Sequence, residues 1–243
     1  MRFCLCLAVL LLSSLTAQAG EWSGYVSGEF LGFLEEGAFP SQHRSYVSVA
    51  AEPEYFHEWN NGDDLFTFTP YALLDQHDSN RSHADIRELS WIHVADDWEL
   101  TAGISKVYWG VMEAAHLVDI INQTDLVVNL DGEDKLGQPM VNLSLIRDWG
   151  VVDLFVLPGF RERTFAGTDG RLRSGLVVDT GRARYQSEAA DQHIDTAIRW
   201  SQSFDLYDSG SYWLRGINRS HCFYTGVNYA VRAVLPVSHP ADK

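Results

Sequence analysis

The sequence predicts an all-β fold: an antiparallel transmembrane β-barrel, complete or incomplete, interrupted by one helix-and-loop insertion. Three observations lead there. Apolar and polar residues alternate with a period of two through most of the chain, which is the side-chain period of a strand. Tight turns and longer polar connections follow one another in rotation, as they do where short turns lie on one side of a membrane and longer loops on the other. The tryptophans lie mostly near strand ends or turns, the heights at which interfacial aromatic girdles form.

The elements follow in order. "MRFCLCLAVLLLSSLTAQAG" carries Arg2, an apolar run from Cys4 to Leu12 and the small-residue pattern Ala17-Gln18-Ala19. It reads as a secretory signal peptide over residues 1–19, with cleavage before Gly20. The run is too short for a spanning helix, which needs ~20 apolar residues. Residues 20–243 then form a single domain. Its opening stretch, "GEWSGYVSGEFLGF", sets Trp22, Val26 and Phe30 on one side and Ser23, Ser27 and Glu29 on the other. The local sequence does not choose which side is buried, because a sandwich hides its apolar face in a core and a membrane barrel turns it to lipid.

"SYVSVAAEPEY" places Val47, Val49, Ala51 and Tyr55 against Ser48, Ala50, Glu52 and Glu54, with Pro53 weakening its end. "LFTFTPYALLD" and "DIRELSWIHVAD" are the next strands, separated by the polar "QHDSNRSH". "WELTAGIS" forms a hairpin with the preceding strand about Asp96-Asp97, and "MVNLSLIRDWGVVDLFVLPGF" forms another about Asp148-Trp149-Gly150. A third hairpin runs through "HIDTAIRWSQSFDLYDSGSYWLRGINR", turning near 205–209, and "YTGVNYAVRAVL" is a last candidate strand. Nine or ten strands emerge, of the ~9–11 residue length that crosses a tilted bilayer.

Between the first two of these hairpins, Val111, Ala114, Ala115, Leu117, Val118 and Ile121 keep helical spacing, and "DGEDKLGQP" breaks it. In a barrel this insertion would fold into the lumen and narrow it; in a sandwich it would cap one end. "WGVMEAAHLVDIINQTDL", together with "WELTAGISKVYWG" before it and "GEDKLGQPMVNLSL" and "WGVVDLFVLPGFRERTF" after it, resembles a group of largely uncharacterised proteobacterial outer-membrane barrel proteins. The resemblance covers about residues 20–217 and is most specific over 98–165. It implies a porin-like barrel in the outer membrane of a Gram-negative bacterium. Barrels of this kind usually end on a strand with a final Phe or Trp, read by the outer-membrane assembly machinery, whereas this chain ends "PVSHPADK". The tail from about 219 is therefore atypical. A truncated or frame-shifted product and a small complete barrel with an unusual tail both remain open.

The net charge of −15 argues against nucleic acid, whose phosphates favour a basic face. Beyond the signal only Cys222 remains, which leaves no intramolecular disulfide. Arginines gather at 161, 163, 171, 173, 182 and 184. Their planar forks suit an anion path or the phosphates of lipopolysaccharide, but a solvated loop balancing Glu162, Asp169 and Asp179 is favoured. "NLDGEDK" brings Asp131, Glu133 and Asp134 around a glycine, yet lacks the full calcium-loop pattern and reads as a turn. No histidine pair has metal spacing, and neither a metal nor a cofactor is expected. Glu113 and Asp119 flank His116 without a nucleophile or oxyanion site nearby, so no catalysis is expected. "GTDGRLRSG" lacks the lysine and spacing of a phosphate loop.

The reading expected from the sequence is a porin-like channel, a partner of outer-membrane lipid and lipopolysaccharide, through which a small solute diffuses. Glu113, His116, Asp119 and Asp125 from the insertion, with Arg161 and Arg163 opposite, are the candidate constriction residues. The alternatives are a soluble periplasmic β-sandwich that binds a carbohydrate or other ligand on exposed aromatic rings, and an outer-membrane lipase or protease, for which no catalytic set is present.

Overall fold

The computed structural model describes residues 7–9, 20–109, 120–129, 131–185, 187–204, 207–216, 224–225 and 232–234. Among them, nine strands form one antiparallel sheet in which each strand pairs with its neighbour in sequence. They are β1 (Glu21–Gly32), β2 (Ser45–Trp59), β3 (Asp64–Asp75), β4 (His83–Val94), β5 (Trp98–Ser105), β6 (Gln138–Arg147), β7 (Gly150–Pro158), β8 (Ile194–Phe204) and β9 (Tyr207–Arg215). Among the described residues the helices are single 3-10 turns.

The connections alternate in length. Residues 60–63, 95–97, 148–149 and 205–206 join strands at one end of the sheet, the turn end. Residues 33–44, 76–82, 106–137 and 159–193 join them at the other, the loop end. The first turn uses two left-handed asparagines, Asn60 and Asn61, followed by Gly62 at φ +94°, a sequence in which local side-chain hydrogen bonding tolerates positive φ.

Register fixes the two faces. Trp22 pairs with Tyr55, Val26 with Ala51 and Phe30 with Val47; Trp98 pairs with Leu145 and Leu100 with Leu143; Leu143 pairs with Leu154, and Leu154 with Ile198. This apolar face is the open one: Trp22, Val26 and Phe30 are 59%, 50% and 52% exposed. The other face carries Ser48, Thr69, Arg87, Ser90, Thr101, Asn142, Asp153 and Asp195, all buried. The usual burial preference of a water-soluble sheet, apolar inside and polar outside, is inverted.

Proline and glycine mark where the ladder is stressed. Pro70 sits at the register shift between Thr69 and Pro70 in the β3–β4 pairing, where a residue without an N–H does least harm. Pro53 faces Gly24 on β1. Gly24 has φ +120°, and a Cβ there would lie 2.2 Å from the Glu52 carbonyl oxygen, so only glycine fits.

The insertion between β5 and β6 lies against the polar face at the loop end. Trp109 and Ile121 pack with Met140, Phe155, Leu157 and Ala197, while Val128 packs on Ala50, Tyr71 and Leu73. The insertion thus touches both flanks of the sheet, and the sheet curls about it. Burying each large side chain of these clusters contributes about 1.5–3 kcal/mol.

Three expectations need correction or restriction. The helix expected over 111–121 falls largely outside the described residues; the described residues between Ile120 and Gly137 form a loop with one isolated bridge, Thr124 to Lys135. The last expected strand, 224–235, does not join the main sheet. Tyr224–Thr225 pairs with Arg232–Val234, which pairs with Val177–Val178. The sheet is also not closed: β1 and β9 are its two flanks and do not pair with each other. The reason is one of direction. Nine antiparallel strands leave the first and last running the same way, so no antiparallel ladder can join them. Leu7–Val9, within the stretch read from the sequence as a signal peptide, pairs antiparallel with Val26–Gly28 on the outer edge of β1, so removal of that peptide would leave this edge open.

Candidate functional site

The polar face concentrates charge where the loops meet it, because strands that alternate apolar and polar residues place most of their ionisable side chains on this side; Asp64 and His93, paired with each other at the turn end, lie on the apolar face. Arg81, in the β3–β4 loop, gathers three strands and the insertion. Its Nη2 donates to Glu29 Oε2 on β1 at 2.6 Å, and its Nη1 donates to Ser48 on β2 at 3.0 Å and to Asp75 on β3 at 2.9 Å. Its Nε donates to the Val127 carbonyl at 2.9 Å. Burial disfavours the guanidinium charge, but Glu29 and Asp75 outweigh that and raise the pKa of Arg81 above its ordinary value.

Arg87 makes a second junction. The bulge beside Pro70 turns it inward, where its guanidinium lies 4.2 Å over the Tyr71 ring and donates to Asp125 Oδ2 at 2.7 Å. Asp125 is fully buried. Its other oxygen accepts from the Thr164 hydroxyl at 2.6 Å, and the same hydroxyl oxygen accepts from the Leu126 N–H at 2.9 Å. Burial opposes the Asp125 charge, yet His83, Thr164 and Arg87 together hold the carboxyl well below the usual carboxylate range. Arg161 completes the set, donating to Asp85 at 2.7 Å and to the Gly137 carbonyl at 2.7 Å.

The base of the insertion is held by Asn122, whose amide donates to the carbonyls of Ser105 and Leu136 at 2.9 Å each, while its Oδ1 accepts from the Val107 N–H at 2.8 Å. Opposite it, Asp78 carries the segment read as "GTDGRLRSG". The Asp78 carboxylate accepts from the Gly167 N–H at 3.1 Å. A Cβ at Gly167 or Gly170 would lie 2.6 or 2.4 Å from it, so the two glycines serve close approach to a carboxylate rather than to a phosphate. Burial raises the pKa of Asp78 despite the backbone donors around it. Between these loops and β1 lies a cleft of about 650 Å³, bordered by Glu29, Asp75, Arg81, Val127, Asp131 and Leu172.

Of the six residues expected at a constriction, Glu113, His116 and Asp119 lie outside the described residues. Asp125 and Arg161 are brought onto the polar face within one network, through Arg87 and Asp85. Arg163 is half-buried with its Nε sequestered and without a hydrogen-bond partner, and burial lowers its pKa from the ordinary arginine value. The other arginines hold loops together. Arg171 donates to the Glu35 carbonyl at 2.8 Å, Arg173 stacks 3.7 Å over Phe39, and Arg182 lies 3.5 Å from Asp179. In "NLDGEDK" the Asp131 side chain accepts from the Glu133 N–H and the Asp134 side chain from Asn129, around Gly132 at φ +82°. That is a turn.

Sequence reasoning did not single out Arg81, Arg87, Asp75, Asp85 or Thr164, and it placed Glu29 only on the polar side of the opening strand. One signal was present for Arg87 and Asp85: a charged residue within "DIREL", in a strand whose other face is apolar, has nowhere to go but the polar side. Comparison with family models, with curated proteins and with solved structures gives no match for this chain.

Proposed function

We propose that this chain is a porin-like outer-membrane β-barrel protein that lets a small solute pass along its polar face. The observation that carries this reading is the inversion of the sheet: an exposed face of Trp, Val, Leu, Ile and Phe, and a buried face that carries Ser, Thr, Asn, Asp and Arg beside the apolar clusters on which the insertion packs. Water does not favour such an arrangement, while lipid outside and solvated charge inside do.

Two further features support it. Turns and loops segregate to opposite ends of the sheet. Trp59, Trp91, Trp98, Trp149 and Trp200 fall within a few residues of the short turns, and Trp22 starts β1 at the same end. There Trp22 lies 5.1 Å from Tyr55, and His57 stacks between Tyr55 and Trp59. Rings with an apolar body and a polar edge suit the membrane boundary. The periplasmic sandwich lacks a comparable support, since a sandwich needs a second sheet over the apolar face, whereas the second sheet among the described residues has three strands of two or three residues and Trp22, Val26 and Phe30 on the apolar face stay exposed.

In this reading the insertion and the 159–193 loop narrow the passage at the loop end, and the network of Arg81, Arg87, Asp125 and Arg161 fixes them in place. The test is fractionation of expressing cells, followed by electrophoresis of the outer-membrane fraction with and without boiling. A heat-dependent change in mobility is the expected result. Soluble protein in the periplasm would overturn the proposal.

A further inference from the structure

We infer that the passage selects cations, a step that rests on the channel reading and names its solute class. The charges on the polar face divide into two regions. Toward the loop end, the acids are committed: Glu29 and Asp75 to Arg81, Asp85 to Arg161, and Asp125 to Arg87. Between there and the turn end, Glu52 and Glu54 on β2, Glu88 on β4 and Glu99 on β5 project from the same face, and none of them is in an ion pair within 4.0 Å among the described residues. Glu54 accepts from Ser23 at 3.3 Å and Glu88 from Ser90 at 2.7 Å, both neutral donors.

Basic groups do face this region. Lys106 and Arg87 act on Glu52 from the loop side, but Arg87 is bound to Asp125. Arg199 on β8 lies 3.5 Å from Asp153, so it is neutralised by its own strand neighbour. Four carboxylates on a curled sheet repel one another, and a low-dielectric wall behind them focuses their field on whatever mobile charge enters.

A second observation points the same way. Thr69 pairs with Glu88 across the β3–β4 ladder and is buried at 6% exposure, yet its hydroxyl oxygen has no hydrogen-bond partner. A buried hydroxyl without a partner is costly; in the wall beside the Glu88 strand position it adds an oxygen dipole that a positive charge in front of the wall would stabilise. No three carboxylate or imidazole groups converge as a metal site among the described residues. The wall therefore attracts cations without trapping them, as conduction requires.

The test is reversal-potential measurement on the full chain in planar lipid bilayers across a tenfold KCl gradient. The expected permeability ratio of K⁺ to Cl⁻ is roughly five or more, given the local enrichment such a field produces. Replacing Glu52, Glu54, Glu88 and Glu99 together by Gln should bring the ratio to within about twofold of unity, with heat-dependent mobility on gels retained. Should that variant not fold, Glu88→Gln alone should lower the ratio by about half, and Thr69→Val should reduce K⁺ conductance about twofold. Conductance with a ratio at or below unity overturns the inference and leaves the channel reading standing. A ratio unchanged in the folded variants overturns the assignment to these residues. Absence of conductance in the unaltered chain overturns both.

Discussion

The Arg87 guanidinium stands 4.2 Å above the Tyr71 ring while donating at 2.7 Å to Asp125, 38 residues further along the chain. One face of the cation is spent on the wall and one edge on the insertion. A buried pair of this kind is retained only while both members are present, because removing one strands the other without compensation.

Asp125→Asn should accordingly destabilise the folded protein by about 3 kcal/mol, the usual scale for breaking a buried pair. Urea unfolding followed by tryptophan fluorescence measures it. A change under ~0.5 kcal/mol, typical of an exposed pair, would show that the insertion is not anchored through this contact. Arg87→Met, which leaves the buried Asp125 carboxylate with only His83 and Thr164 beside it, should cost a similar amount.

The same carboxylate sets a pH dependence. Its folded-state pKa lies below its unfolded value, so it contributes stability that is fully present above the unfolded pKa of about 3.9 and is lost as pH falls toward the folded value. The urea midpoint of the unaltered chain should fall below about pH 4 more steeply than that of Asp125→Asn, and the two curves should run parallel above it. Parallel curves through the acidic range would remove Asp125 from the account.

Leu154 separates lipid from water as the environment of the apolar face. It sits mid-strand on β7 and is 37% exposed. Leu154→Arg should cost about 2–4 kcal/mol if that face meets the bilayer midplane. Facing water, the change should stay within about 0.5 kcal/mol. Equilibrium unfolding from lipid vesicles distinguishes the two.

Gly103 on β5 has φ +135°, and a Cβ there would lie 2.0 Å from the Leu89 carbonyl oxygen. Gly103→Ala should destabilise by more than about 1 kcal/mol, since alanine meets both an unfavourable dihedral and a backbone atom. Gly28→Ala on β1, where nothing lies within 4 Å, is the control and should be close to neutral.

Much of the sheet was legible because its alternation is regular. Val47, Val49 and Ala51, or Trp98, Leu100 and Ala102, share faces in the structure as their spacing implies, and the hairpins at 96–97 and 149–150 fall where turn residues interrupt the pattern. What alternation cannot say is which face is buried, since period two is symmetric between them; that emerged only from exposure. The site was harder to read. Arg87 reaches Asp125 because a bulge beside Pro70 offsets β4 by one residue, and a one-residue offset is invisible to a pattern count. Asp125 and Arg161 were singled out individually, but their partners Arg87 and Asp85 lie far away in sequence. Whether the barrel would be complete or incomplete was left open by the local signals, because closure depends on strand parity, a property of the whole chain.

That parity also decides sidedness. β1 leaves from the turn end and β9 arrives at the loop end, so Gly20 and Gly216 stand at opposite poles of the sheet. In a membrane, Gly20 and Gly216 would face different compartments. An epitope inserted between Gly20 and Glu21 and one placed directly after Gly216 would then be reached by antibody from opposite sides, which makes the open seam readable as a topology.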